Sequence, residues 1–154
     1  GPVYMRFGRL ALPVINDPDT YKFELGKGVE LKSGKDITII ATGLCVSESL
    51  KAAEMLKEAG VDAQVINIHT IKPIDEDIII NAAKKTGRIF TVEEHSIIGG
   101  LGSAVMEVLS EKCPTKVTRI GVNDTYGCSG PAKELLHVFG LDAEGIAARI
   151  KENL

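Results

Sequence analysis

The sequence predicts a three-layer α/β/α domain whose mixed sheet includes one antiparallel strand. Three observations lead there. Short, nearly continuous apolar runs rich in Ile, Val and Thr alternate with segments of helical period, as in parallel sheets covered on both faces. The helical segments each carry one apolar stripe, which suits helices lying on a sheet. "VELK" and "DITIIAT" flank Ser33-Gly34-Lys35, a hairpin signal that makes those two strands antiparallel neighbours.

The elements follow in order. "VYMRF" near the start reads as a strand, and the polar, Pro-bearing stretch Asn16-Asp17-Pro18-Asp19 reads as a linker. The chain opens Gly1-Pro2-Val3-Tyr4 without an initiating Met, so a piece of a longer polypeptide is expected. "DITIIAT" leads to a helix over 46–59, "AQVINIH" to one over 75–86, and "RIFTVEE" to one over 101–112. "KVTRIG" follows, then helices over 131–139 and 143–153. Val46, Leu50, Ala53 and Leu56 form the stripe of the first helix; Leu101, Ala104, Val105, Val108 and Leu109 form that of the third.

Local chemistry sets the boundaries. Pro73 stops the strand before it, and Asp75 is placed to accept from the first free N–H groups of the next helix. Pro131 suits a first helical position with Gly130 as the cap before it. Gly60 and Gly140 end helices, and Asp142 caps the last one.

A chain of 154 residues, 44% hydrophobic and 25% charged, fits one globular domain with a real core. A net charge of −3 with no basic cluster argues against nucleic acid as a partner. No apolar run approaches a membrane span, and no basic-then-apolar signal opens the chain. Cys45, Cys113 and Cys128 are odd in number and widely spaced, signalling neither a disulfide framework nor a zinc site. A reducing cytoplasm is the simplest setting.

Few residues qualify for chemistry. Gly99, Gly100 and Gly102 form GGxG, but Val105 stands where a dinucleotide fingerprint needs its third glycine. A tight turn from strand to helix explains them better than a phosphate cradle. Glu93, Glu94 and His95 suggest an acid/base cluster, yet consecutive strand residues point to opposite faces and cannot converge. His95 alone is the better candidate, because it lies at the carboxyl end of a parallel strand, where open α/β sheets place ligands; capping or interface work is the plainer alternative. His69 ends the preceding strand and could face the same crevice. His137 in "KELLHVF" reads as locally satisfied, and Ser129 in "GCSGP" as turn material, there being no GxSxG elbow. Arg6 and Arg9 could grip a phosphate through paired N–H donors, although a solvated strand end is the commoner use of such a pair.

Five ordered blocks, "GPVYMRFGR", "GVELKSGKDITIIATG", "INIHTIKPIDED", "IFTVEEHSIIGGLGSAVMEVL" and "YGCSGPAKELLHVFGLDAEGI", together resemble transketolase-like enzymes. They match the end of the pyrimidine-binding domain with its linker, over residues 1–20, and the C-terminal domain, over 21–154. The resemblance implies a five-stranded mixed sheet with one antiparallel strand. It implies a parent enzyme that uses thiamine diphosphate and Mg²⁺ to move a two-carbon ketol unit between sugar phosphates. The metal-binding GDG segment has no counterpart here, and the catalytic glutamate would lie upstream of Gly1. The chain alone is therefore expected to be inactive and to hold no cofactor, acting through the remaining transketolase domains or an N-terminal subunit and through homodimer contacts. On the same resemblance Arg6 falls where related enzymes hold the substrate phosphate, and Arg9 aligns with a neighbouring arginine of the deoxyxylulose-phosphate synthase branch.

The tail "YGCSGPAKELLHVFGL" resembles transketolases, particularly the split type whose second half is a separate polypeptide. Deoxyxylulose-phosphate synthases and the beta subunits of 2-oxo-acid dehydrogenases are the alternatives within the architecture. A different class also fits the residues: a free-standing α/β module binding a small ligand or a protein in a crevice formed by His69, His95 and the glycine loop.

Overall fold

The computed structural model describes residues 1–5, 8 and 11–154. Its elements are β1 (Val29–Lys32), β2 (Ile37–Ala41), α1 (Cys45–Glu58), β3 (Ala63–Asn67), α2 (Glu76–Thr86), β4 (Arg88–Ser96), α3 (Leu101–Lys112), β5 (Lys116–Val122), α4 (Ala132–Val138) and α5 (Ala143–Glu152). One five-stranded sheet has the order β1-β3-β2-β4-β5, parallel except for β1, which runs antiparallel to β3.

Alternation along the strands separates two cores. Ile37, Ile39, Val65, Phe90 and Val92 face α1 and α5, joined there by Leu56, Ile146 and Ile150. Ile40, Ile66, Ile68 and Ile89 face α2 and α3, where Ile79, Leu101, Val105 and Leu109 close the layer. The period of two in the strands and the apolar stripes of the helices meet in this arrangement.

Helix boundaries follow the expected caps. Asp75 accepts from the Ile78 N–H at 3.3 Å and Asp142 from the Gly145 N–H at 2.9 Å, each satisfying a donor that the first turn leaves free. Gly60 and Gly140, at φ +83° and +65°, sit just past the ends of α1 and α4, in a conformation that a Cβ disfavours. At α4 the expected register moves by one residue: Pro131 is the cap and Ala132 the first helical residue.

The hairpin expected across Ser33-Gly34-Lys35 does not form. β1 is antiparallel to β2 in direction, but its neighbour is β3. The connection instead crosses the amino end of β3: the Lys35 and Asp36 N–H groups donate to the Asp62 carbonyl at 3.1 and 3.0 Å, and the Asp62 N–H donates to Asp36 Oδ2 at 2.7 Å. Gly34 makes the crossing possible, since a Cβ there would lie 2.2 Å from the Ala63 carbonyl carbon. Its role is close backbone approach, not a turn.

The opening strand is likewise not seen among the described residues. Val3, Tyr4 and Met5 are in no strand and are exposed, while Arg6 and Phe7 of the same stretch lie outside the described residues. Around the expected linker the Tyr21 N–H donates to the Asp17 carbonyl at 2.8 Å, closing a turn.

Candidate functional site

The order of the strands creates one switch point. The connection from β2 runs through α1 toward β3, whereas that from β4 runs through α3 toward β5, so the two leave the carboxyl edge in opposite directions. Open α/β sheets place ligand crevices at such points. Here a crevice of about 390 Å³ is lined by Thr42, Gly43 and Leu44 after β2, by Glu93, Glu94, His95, Gly99 and Gly100 after β4, and by Ile71.

Glu93 decides what this crevice can do. Its side chain is 2% exposed and lies on the α3 side of the sheet. Oε2 accepts from the Leu101 N–H at 2.7 Å and Oε1 from the Gly102 N–H at 2.8 Å. The first turn of α3, which has no cap from its own preceding residue, is thus capped by an acid from the strand. A Cβ at Gly100 would meet Glu93 Oε2 at 2.0 Å. The GGxG loop therefore holds a carboxylate of its own chain where a phosphate would otherwise sit. Gly102 also admits Arg119, whose Nη1 donates to the Ile97 carbonyl at 2.8 Å and pins the loop from β5.

Glu93, Glu94 and His95 separate accordingly. Glu93 points inward, while Glu94 and His95 are exposed. β4 extends through His95 to Ser96, beyond the expected strand end, and His95 Nδ1 lies 2.8 Å from the Ser96 carbonyl oxygen. His69 is not brought to the crevice. It lies two residues beyond the end of β3, its ring 4.8 Å from that of Phe23 and its Nδ1 2.8 Å from Thr70 Oγ1. The expectation that His69 and His95 share one crevice therefore fails, because β3 ends early and the segment before β1 packs over His69.

Other candidates resolve locally. His137 Nδ1 and Asp142 Oδ2 are 2.6 Å apart. That hydrogen bond and the Asp142 charge raise the His137 pKa. Burial pushes Asp142 up, but the hydrogen bonds from His137 and the Gly145 N–H outweigh it and hold the carboxyl below its ordinary value. Cys45 is buried, and its thiol is pushed up to about 12 by that burial and then by the charges of Glu94, Glu48 and Glu93, so it is no nucleophile. Ser129 lies in an exposed loop. Arg6 and Arg9 fall outside the described residues.

Sequence reasoning missed the capping role of Glu93. The signal was available: an acid at a strand end, followed by glycines and a helix that brings no Ser, Thr, Asp or Asn to its own cap position. Among the described residues, the crevice offers neither a nucleophile paired with a base nor a free anion cradle.

Comparison with known proteins gives a consistent result. Residues 26–146 match the family model described as "Transketolase, C-terminal domain". A putative transketolase C-terminal section from Methanocaldococcus jannaschii is 51% identical over 156 residues, covering all of this chain and 48% of the relative. A 1-deoxy-D-xylulose-5-phosphate synthase from Geobacter sulfurreducens is 40% identical, across 96% of this chain and 24% of the synthase. A solved split gene transketolase, described as an inactive β4 tetramer, superposes with a TM-score of 0.88 at 45% identity, covering 94% of this chain and 47% of that one. The chain spans about half the length of the first curated relatives it matches.

Proposed function

The chain belongs to the transketolase C-terminal domain family, and from that premise we propose that it is the C-terminal structural and assembly part of a split transketolase. The parent enzyme moves a two-carbon ketol unit between sugar phosphates, using thiamine diphosphate and Mg²⁺ in the cytoplasm as a dimer or higher assembly. Residues 1–20 belong to the end of its pyrimidine-binding domain and the linker, and 21–154 to the C-terminal domain. The observation that carries this reading is the similarity of the whole chain to half of a transketolase C-terminal section and to half of a split gene transketolase.

The residues described do not fit the cofactor. The one glycine-rich strand-to-helix loop that could cradle a diphosphate is filled by Glu93. Cofactor and metal are therefore assigned to the rest of the enzyme, and this chain supplies a rigid three-layer body beside them. Arg6 is assigned to the phosphate of the sugar substrate, with Arg9 beside it; a guanidinium fork suits such a group.

A second reading has a specific observation behind it. Synthases of deoxyxylulose phosphate match at 40% identity, but over a quarter of their length. The match runs over 96% of this chain, so the same domain would serve that enzyme.

The test combines the complete parent chain with its N-terminal partner, thiamine diphosphate and Mg²⁺, and follows ketol transfer between pentose phosphates. Transfer supports the reading; its absence, with formation of deoxyxylulose phosphate from pyruvate and glyceraldehyde phosphate instead, would move the chain to the second one. In that enzyme Arg6→Ala is expected to raise KM for phosphorylated sugars and spare unphosphorylated analogues. An equal effect on both would refute the phosphate role.

A further inference from the structure

The turn between α4 and α5 brings together three side chains able to ligate a metal. His137 lies in the last turn of α4, Asp142 caps α5, and Glu144 stands in the first turn of α5. One ligand atom from each, an imidazole nitrogen and two carboxylate oxygens, falls within 4.8 Å of the other two. The backbone fixes this approach. The Leu141 N–H donates to the Leu136 carbonyl at 2.7 Å and the Gly140 N–H to the His137 carbonyl at 2.9 Å. That pair of bonds closes a Schellman motif, with Gly140 in its left-handed position at φ +65°. Leu136 and Leu141, the two apolar residues that accompany the motif, pack into the core on the α1 and α5 side. The chain therefore reverses in a set geometry, which brings Asp142 Oδ2 to 2.6 Å from His137 Nδ1.

The donor set selects the class of occupant. Asp142 Oδ1 accepts from the Gly145 N–H at 2.9 Å, which leaves Oδ2 to face His137. A ligating carboxylate is commonly oriented by such a bond to its other oxygen. His137 and Glu144 are exposed and free to rotate. Around a cation with bonds of about 2.0–2.2 Å, ligand atoms stand roughly 3.0–3.5 Å apart. That spacing lies between the 2.6 Å of the His137–Asp142 pair and the 4.8 Å span of the group. An imidazole nitrogen with two carboxylates suits Zn²⁺, Co²⁺ or Ni²⁺, whereas Mg²⁺ takes oxygen ligands. The carbonyl end of α4 favours a cation; the amino end of α5 opposes one, and Asp142 and Glu144 offset it. Lys133, one turn earlier on α4, opposes as well, while Lys51 is already paired with Glu48 at 2.7 Å.

We propose that His137, Asp142 and Glu144 form a binding site for a divalent transition-metal cation of the zinc type, which ties α4 to α5. Water fills the coordination positions that face solvent. α4 has the most to gain from such a tie, since it alone among the described helices has no fully buried residue. Leu135 and Leu136 are its half-buried anchors. A cation bound here stabilises the folded domain by mass action. The site does not depend on the transketolase reading.

Calorimetric titration of ZnCl₂ into the metal-free chain tests the site, in a Cys128→Ser background that removes the exposed thiol as a competing ligand. One saturable site is expected, with MgCl₂ giving no saturable heat. His137→Gln and Glu144→Gln are each expected to weaken zinc binding at least about tenfold; both side chains are exposed, so neither change disturbs the core. Amide exchange locates the effect: residues 132–138 are expected to slow when Zn²⁺ is added, with 76–86 on the opposite face of the sheet unchanged. Absence of saturable zinc binding would overturn the proposal. So would binding that survives either substitution, equal binding of Mg²⁺, or bound zinc that leaves exchange in 132–138 as it was.

Discussion

Replacing Glu93 by Gln keeps the shape of the side chain and removes one of its two acceptors. In the native domain both oxygens are used, one by the Leu101 N–H and one by the Gly102 N–H, at 2.7 and 2.8 Å. The amide can still accept from one of them, now as a neutral group; its NH₂ must face the other donor. Hydrogen bonds to charged groups are worth about 1.5–3 kcal/mol and a buried unsatisfied donor costs about 1–3 kcal/mol, so the net loss is set at about 2–3 kcal/mol. The α3 dipole, no longer facing a negative charge, adds to it in the same direction. For a domain of this size that corresponds to a fall in Tm of about 5–10 °C. Denaturant unfolding gives the stability change, and amide exchange at Leu101 and Gly102 locates it. A Gln variant within about 0.5 kcal/mol of the native chain, with those amides still protected, would show that the carboxylate is not what caps the helix.

Gly34→Ala places a Cβ 2.2 Å from the backbone of Ala63, and no side-chain rotation relieves a backbone clash. A loss above about 3 kcal/mol, or failure to fold, is expected in a denaturant titration; a neutral variant would contradict the crossing over β3. The His137–Asp142 pair should be visible in the pH dependence of stability. His137 is raised from 6.5, so its contribution is full below that value and fades as pH rises through the folded pKa. Asp142 is lowered from 3.8, so its contribution is present above that value and fades as pH falls through the folded pKa. The Tm gap between the native chain and His137→Gln should therefore be widest between about pH 4 and 6.5 and close at higher pH; a gap that grows toward pH 9 would contradict the pair. Finally, a thiol reagent at pH 7.5 should modify exposed Cys128 quickly and leave buried Cys45 intact until unfolding; rapid labelling of Cys45 would contradict its burial.

How far the sequence could be read depended on the range of the interaction. Asp75, Asp142, Gly60 and Gly140 act within a turn of their own helix, and their roles were readable from neighbouring residues. The placement of β1 was not, because it depends on Gly34 passing the backbone of Ala63, some thirty residues later in the chain. His95 and His69 were grouped because each stood near the end of an apolar run; three dimensions put one on the crevice rim and the other against Phe23. By residue type Glu93 reads as a titratable group, but its partners are backbone donors eight and nine residues ahead. Its buried position followed from alternation along β4, which sends it to the α3 face, and nothing in residue type alone distinguishes it from Glu94.

The central claim is that this domain supports an active site built elsewhere. Calorimetric titration of thiamine diphosphate with Mg²⁺ into this chain, and separately into the parent chain assembled with its N-terminal partner, tests that division directly. Saturable binding to the assembly and none to this chain is the expected result. Saturable binding to this chain alone, abolished by a substitution in the glycine loop, would contradict it.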